Sequence, residues 1–159
     1  MTVLNVGANP GGVGRGSANH VRKSLTFTGA AGFGLAADVI TIFTVTGVVI
    51  LRNLLVVCTD TLTQNLATPT LALGVSNLPT FFIAATTATG LTSTNNIWQD
   101  TTPSPVAEAM PAGFKDIALA TNIAALAIIA TVGGTNNING GTLVFDAWYD
   151  AVTDGANLA

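Results

Sequence analysis

The residues able to do chemistry are few, and their spacing argues against most of it. A Gly-rich stretch, GANPGGVGRGS at 7–17, follows the apolar VLNV as a phosphate loop follows a strand. A nucleotide cradle needs Lys directly before Ser or Thr, because the ammonium must reach the terminal phosphates while the hydroxyl holds magnesium. Gly16 stands directly before Ser17, and the first Lys-Ser pair is Lys23-Ser24. The one histidine, His20, cannot supply the paired imidazoles of most zinc sites, and as a triad base it would need rigid flanks. Its ordinary reading is a solvent-exposed or interface-lining side chain.

Carboxylates and aromatics offer little more. Asp146, Asp150 and Asp154 recur every four residues near the end. On a strand, even spacing puts Asp146 and Asp150 on the face of Trp148, opposite Phe145 and Tyr149. That trio is expected to solvate an exposed face; sharing a cation is the alternative. DAVTDG imitates the opening of a calcium loop, but Val152 stands at a ligand position. Trp98 and Asp100, with Glu108 nearby, form a weak candidate ligand surface of the kind that stacks on sugars. The competing reading has Trp98 anchoring its own loop on the core. Cys58 lies alone in LLVVC and reads as a buried, inert thiol, so neither a disulfide framework nor a cysteine metal cluster is expected. The chain is expected to be no enzyme and to need no cofactor or metal.

The elements that would hold these residues are strands. Only 8% of the chain is charged against 49% hydrophobic. Val, Ile and Thr are abundant, cut by Gly, Asn and Pro, while Lys and Glu, the usual residues of exposed helix faces, are nearly absent. Strands are predicted from Val21, over Val39 to Thr46, over Val48 to Thr59 beyond a turn at Gly47, around Leu71 to Val75, and over Phe81 to Thr89. Ile117 to Thr121 and Ala125 to Val132 read as a hairpin pair, although Ala-rich 117–130 also fits a helix. The final strand is predicted from Thr142 to Val152, after a turn GGTNNINGG. The class is all-β, a β-sandwich or jelly roll of about eight strands with an extended N-terminal arm. Residues 1–20 are the arm and 21–159 the domain.

Residues 39–58 and 117–132 are apolar enough to suggest membrane spans. Arg52, Gly47 and recurrent Thr in the first, and Thr121 and Asn122 in the second, favour pairs of buried strands, so no membrane partner is expected. Charge is uneven: Arg15, Arg22 and Lys23 precede Asp38 without any acid, and from Asp38 onward eight acids face Arg52 and Lys115. An acidic body with so small a basic footprint argues against nucleic acid. A basic start on such a body suits contact with a neighbour, and Arg15, His20, Arg22 and Lys23 are the candidate contacts. Soluble domains usually carry about 25% charged residues. So few ionised side chains imply surface that other subunits hide.

The order SLTFTGAAGFG, VITIFTVTGVVILRNLLVVCTDTL, TLALGVSN, FFIAATTATGL, IWQDTTP, KDIALATN and GGTLVFDAWYDAVTDGANLA spans residues 21–159. Together these segments resemble small virion proteins from the head modules of tailed bacteriophages, of the capsid decoration or cement type. The resemblance implies a β-rich homotrimer on the outer face of the icosahedral shell, made in the bacterial cytoplasm. Its implied partners are the major capsid protein and neighbouring copies, and it implies no catalytic residues. A tail-tube, fibre or head-spike component, and a carbohydrate-binding or adhesin module, are the other readings.

Overall fold

In the computed structural model, which describes residues 19–64, 68–91, 96–103, 117–120 and 126–159, two antiparallel sheets lie face to face. The strands are β1 (Asn19–Thr26), β2 (Val39–Thr46), β3 (Val48–Gln64), β4 (Thr70–Val75), β5 (Leu78–Thr87), β6 (Asn96–Ile97), β7 (Ile117–Ala120), β8 (Ala127–Gly133), β9 (Ile138–Ala151) and β10 (Asn157–Leu158). The first sheet runs β1-β9-β3-β6, with β7 also on β3; the second runs β10-β2-β8-β4-β5. The chain is an all-β sandwich.

Alternation builds the core. Val49, Leu51, Leu54, Val56 and Cys58 of β3 point inward and are fully buried, as are Leu143, Phe145 and Ala147 of β9. Leu71, Leu73, Ile128, Ala130 and Val132 answer them from the second sheet. Fully burying one such aliphatic side chain favours folding by about 1.5–3 kcal/mol. Inward residues on β3 switch from odd to even numbers after Leu51 because the register slips between Leu51 and Asn53. A bulge adds one residue there and restores Leu54 to the core. Another slip between Thr41 and Phe43 does the same in β2.

Gly47 lies between two strands that never pair with each other. β2 belongs to the second sheet and β3 to the first, so the predicted turn carries the chain across the sandwich. Gly47 has φ 66°, and a Cβ there would press on Thr153 and Ala156, which only glycine avoids. The apolar run 39–58 is therefore two strands, and no helix among the described residues is long and apolar enough to cross a membrane.

Three expectations need correction. The predicted hairpin of 117–121 with 125–132 does not form: β7 pairs with β3 in the first sheet, and β8 sits between β2 and β4 in the second. Apolar faces on both strands are satisfied as well by opposite sheets as by each other, so proximity in sequence misled. The boundary between arm and domain at residue 20 falls inside β1, which starts at Asn19 and pairs His20 with Trp148. The last strand begins at Ile138 rather than Thr142, so part of GGTNNINGG is ladder.

Both flanks of the sandwich are pinned by single side chains. On one, Lys23 of β1 donates from Nζ to the carbonyl of Thr41 in β2, 3.1 Å away, beside the bulge. On the other, Trp98 donates through its backbone N–H to Val56 O (2.9 Å) and through Nε1 to Thr86 Oγ1 (3.0 Å). Val56 belongs to the first sheet and Thr86 to the second, so one residue, through its backbone and its indole, ties them together.

Candidate functional site

The polar side chains gather on the outward face of the first sheet, where β1, β9 and β3 lie side by side. Even-numbered residues of β1 and β9 share that face. The register sets His20 opposite Trp148 and Arg22 opposite Asp146. On the other side of β9, Asn53 stands opposite Trp148 and Leu55 opposite Asp146.

Asp146 is the centre of this cluster. Arg22 grips it with two prongs, Nε to Oδ1 at 2.8 Å and a terminal nitrogen to Oδ2 at 2.9 Å. His20 Nε2 lies 2.6 Å from Oδ1. The Asp146 side chain is only 3% exposed although Arg22 stays 65% exposed, so the guanidinium lids the carboxylate while facing water itself. Such two-pronged, charge-assisted bonds are the strong kind. The hydrogen bond from Arg22 holds the Asp146 carboxyl below the usual carboxylate range; burial opposes this and His20 adds to it. The same pairing raises Arg22. The His20 ring also stacks on Trp148, with centroids 4.8 Å apart and planes 26° from parallel. Further along, Arg52 Nε donates to Asp150 Oδ2 at 2.7 Å.

This corrects the reading of Asp146 and Asp150 as a solvated face, while Asp154 is exposed. Asp146 is buried and Asp150 is paired, each with a cation of its own chain. His20 also lies beyond any arm, since it belongs to a paired strand. The cluster has a base and a carboxylate but lacks a nucleophile: Ser24, on the same face, stands opposite Val144. Among the described residues no group of three His, Cys, Asp or Glu could hold a metal ion.

The remaining candidates are placed as follows. Trp98 is fully buried, so its ring cannot serve as a sugar platform; it is the loop anchor of the competing reading. Asp100 uses Oδ1 to accept the Thr102 N–H at 2.6 Å, capping its own turn. Lys23 and Arg22 are both engaged within the chain, as described. Arg15 and Glu108 lie outside the described residues. Cys58 is buried, its S–H donates to Asp60 O at 3.1 Å, and burial pushes the thiol up.

A second property of the same face is apolar. Val48, Ile50, Leu55 and Val57 of β3 and Val144 of β9 point outward and are half-buried. Antiparallel sheets with one solvated face normally alternate apolar-in and polar-out. β1 obeys that rule with His20, Arg22, Ser24 and Thr26, whereas β3 does not. The ion-pair cluster was legible in principle: His20 and Arg22, two apart, match Asp146 and Trp148, two apart, with opposite charge at one register. No protein-family model, curated protein or solved structure matches the chain.

Proposed function

We propose that this chain is a non-enzymatic structural subunit of a tailed-phage virion, of the capsid decoration type, which binds the outer surface of the head and stabilises the shell. Its partners in this reading are the major capsid protein and further copies of itself. The observation that carries it is the outward face of β3, where Val48, Ile50, Leu55 and Val57 occupy positions that a lone sandwich would give to Thr, Lys or Glu. These half-buried apolar side chains lie as two pairs on either side of Arg52 and Asn53, and apolar groups on an outward sheet face suit contact with a partner. A ligand that binds only the assembled lattice stabilises that lattice by mass action, which is all that cementing requires.

The polar cluster suits a rim. Arg and Trp are enriched where interfaces hold their energy, and ion pairs already neutralised within one subunit can approach a partner at little electrostatic cost. The test is co-sedimentation of the purified chain with phage heads stripped of it, with imaging of the pellet. Saturable binding on the outer surface, lost on Leu55→Glu, supports the reading. Absence of binding, or binding unchanged by that substitution, refutes it.

A further inference from the structure

We propose that Asp154 and Gly155 form a self-modifying joint, where the backbone rearranges through a cyclic imide to isoaspartate and releases β10 from the edge of β2. The site is independent of the assembly proposed above. Its chemistry needs a side-chain carbonyl carbon and, one residue on, a backbone nitrogen that no side chain crowds. Glycine after Asp or Asn meets that condition, and the sequence offers it at Asn139-Gly140 and Asp154-Gly155. At the other described Asp positions the next residue is Val, Thr or Ala.

An amide loses ammonia more readily than a carboxyl loses water, so sequence alone favours Asn139. The structure reverses that order. Asn139 and Gly140 lie within β9, where Gly140 stands opposite Thr63. A paired strand keeps its backbone extended, which holds each nitrogen away from the preceding side chain. The Asn139 side chain also packs against Gly29, whose missing Cβ leaves room for its Oδ1. Asp154 has none of these restraints. It is exposed, lies between β9 and β10, and its carboxylate has no hydrogen-bond or ion-pair partner among the described residues. Gly155 is exposed too, with φ 72°, and a Cβ there would meet nothing within 4 Å, so its nitrogen is open to approach.

In the first step the Gly155 nitrogen attacks Cγ of Asp154. A C–N bond forms, the C–OH bond breaks, and one water leaves with the amide proton. The five-membered succinimide then takes up one water. Opening at the side-chain carbonyl restores Asp154; opening at the main-chain carbonyl gives isoaspartate, with the chain now routed through Cβ. No electrons change hands and the mass is unchanged.

The added methylene falls in a closed turn. Ala156 donates its N–H to Thr153 O at 3.0 Å, and Thr153 Oγ1 accepts the Val48 N–H at 3.0 Å. Just beyond, β10 pairs with β2 through Asn157 with Thr46 and Leu158 with Val45, and Ala159 exchanges N–H and carbonyl with Thr44. So short a strand depends on the turn that delivers it. One extra backbone atom breaks the bond between Thr153 and Ala156, moves β10 out of register and uncovers Leu158, now 2% exposed.

The experiment ages the wild-type chain, Asp154→Asn and Asp154→Glu in warm neutral buffer, with circular dichroism to show that each starts folded. Isoaspartate is located by methyl labelling with an isoaspartyl methyltransferase, then digestion and mass spectrometry. Amide exchange is read at Thr44 and Ala159, with Leu73 of β4 as control. The rearrangement predicts label at position 154 in the wild type and faster label in Asp154→Asn, which reaches the same imide by losing ammonia. Asp154→Glu should gain none there, because its longer side chain needs a six-membered ring. Position 139 should stay unlabelled in the folded chain and gain label in urea. In labelled chains Thr44 and Ala159 should exchange about tenfold faster than in fresh ones, with Leu73 unchanged. Absence of label at 154 in the wild type, or earlier label at 139, overturns the site. Normal protection of Thr44 and Ala159 in labelled chains overturns the release of β10.

Discussion

Replacing Trp98 separates a structural indole from a ligand-binding one. The side chain is fully buried, and the residue bridges the sheets, its backbone N–H donating to Val56 O at 2.9 Å and its indole Nε1 to Thr86 Oγ1 at 3.0 Å. Trp98→Ala keeps the backbone bond but empties the largest fully buried side chain of the core and removes the Nε1 donor. Comparable truncations cost about 3–5 kcal/mol. For a chain of this size each kcal/mol moves the midpoint by about 2–4 °C, so a drop of about 6–20 °C is expected. Trp98→Phe retains most of the ring burial and loses the donor. Thr86 Oγ1 still donates to Ala84 O at 3.1 Å, so the expected cost is about 1–2 kcal/mol, the hydrogen bond plus a small void. The assay is urea unfolding followed by circular dichroism at one fixed protein concentration, because association shifts apparent stability. A loss below about 1 kcal/mol for Trp98→Ala would refute the bridging argument. Loss of glycan-array binding at unchanged stability would restore the sugar-platform reading.

Other expectations follow from single contacts. Asp146 is held below the usual carboxylate range, so its stabilising contribution is complete above about pH 4 and is lost as pH falls through its lowered folded-state value. Asp146→Asn should lower stability at pH 7 by about 1–2 kcal/mol, discounted because the guanidinium faces water, and should flatten the acid limb of stability against pH; an unchanged limb would contradict the pairing. Gly74 of β4 lies beneath the start of β5, where a Cβ would strike the backbone of Leu78 and Pro79. Gly74→Ala should therefore cost about 1–3 kcal/mol in the same urea assay, while Gly90→Ala, with ordinary contacts to Pro103, should stay within about 0.5 kcal/mol. The Cys58 thiol, buried and pushed up, should resist Ellman's reagent in the native protein and react promptly in urea; fast native labelling would show that this part of the core opens.

Local chemistry made part of the fold readable. Val39–Thr46, Val48 onward and Leu71–Val75 are strands because β-branched and Leu residues alternate there, and Gly47 breaks the run where only glycine fits. Sheet membership was not readable. Nothing in Ile117–Ala120 or Ala127–Gly133 says that one strand belongs with β3 and the other with β2 and β4, because both carry inward apolar side chains suited to either sheet. Bulges hid the faces of β3: read without the slip at Arg52 and Asn53, strict alternation puts Leu54 and Val56 outside. The side chains of the polar cluster stand out in the sequence; which of them meet does not. Charge pattern marks His20, Arg22 and Lys23 as candidate neighbour contacts, yet Arg22 and His20 close on a carboxylate more than a hundred positions away, a pairing that needs the β1–β9 register as well as the matched spacings. In sequence Trp98 fits both a platform and an anchor, and burial decides for the anchor.

The account stands on the claim that this sandwich works in the company of other copies. Light scattering of the tag-free chain from micromolar to millimolar concentration tests that most directly. The expected result is a mass that rises to a defined multiple of the single chain and holds there. A constant single-chain mass throughout, in clear solution without aggregation, would contradict it.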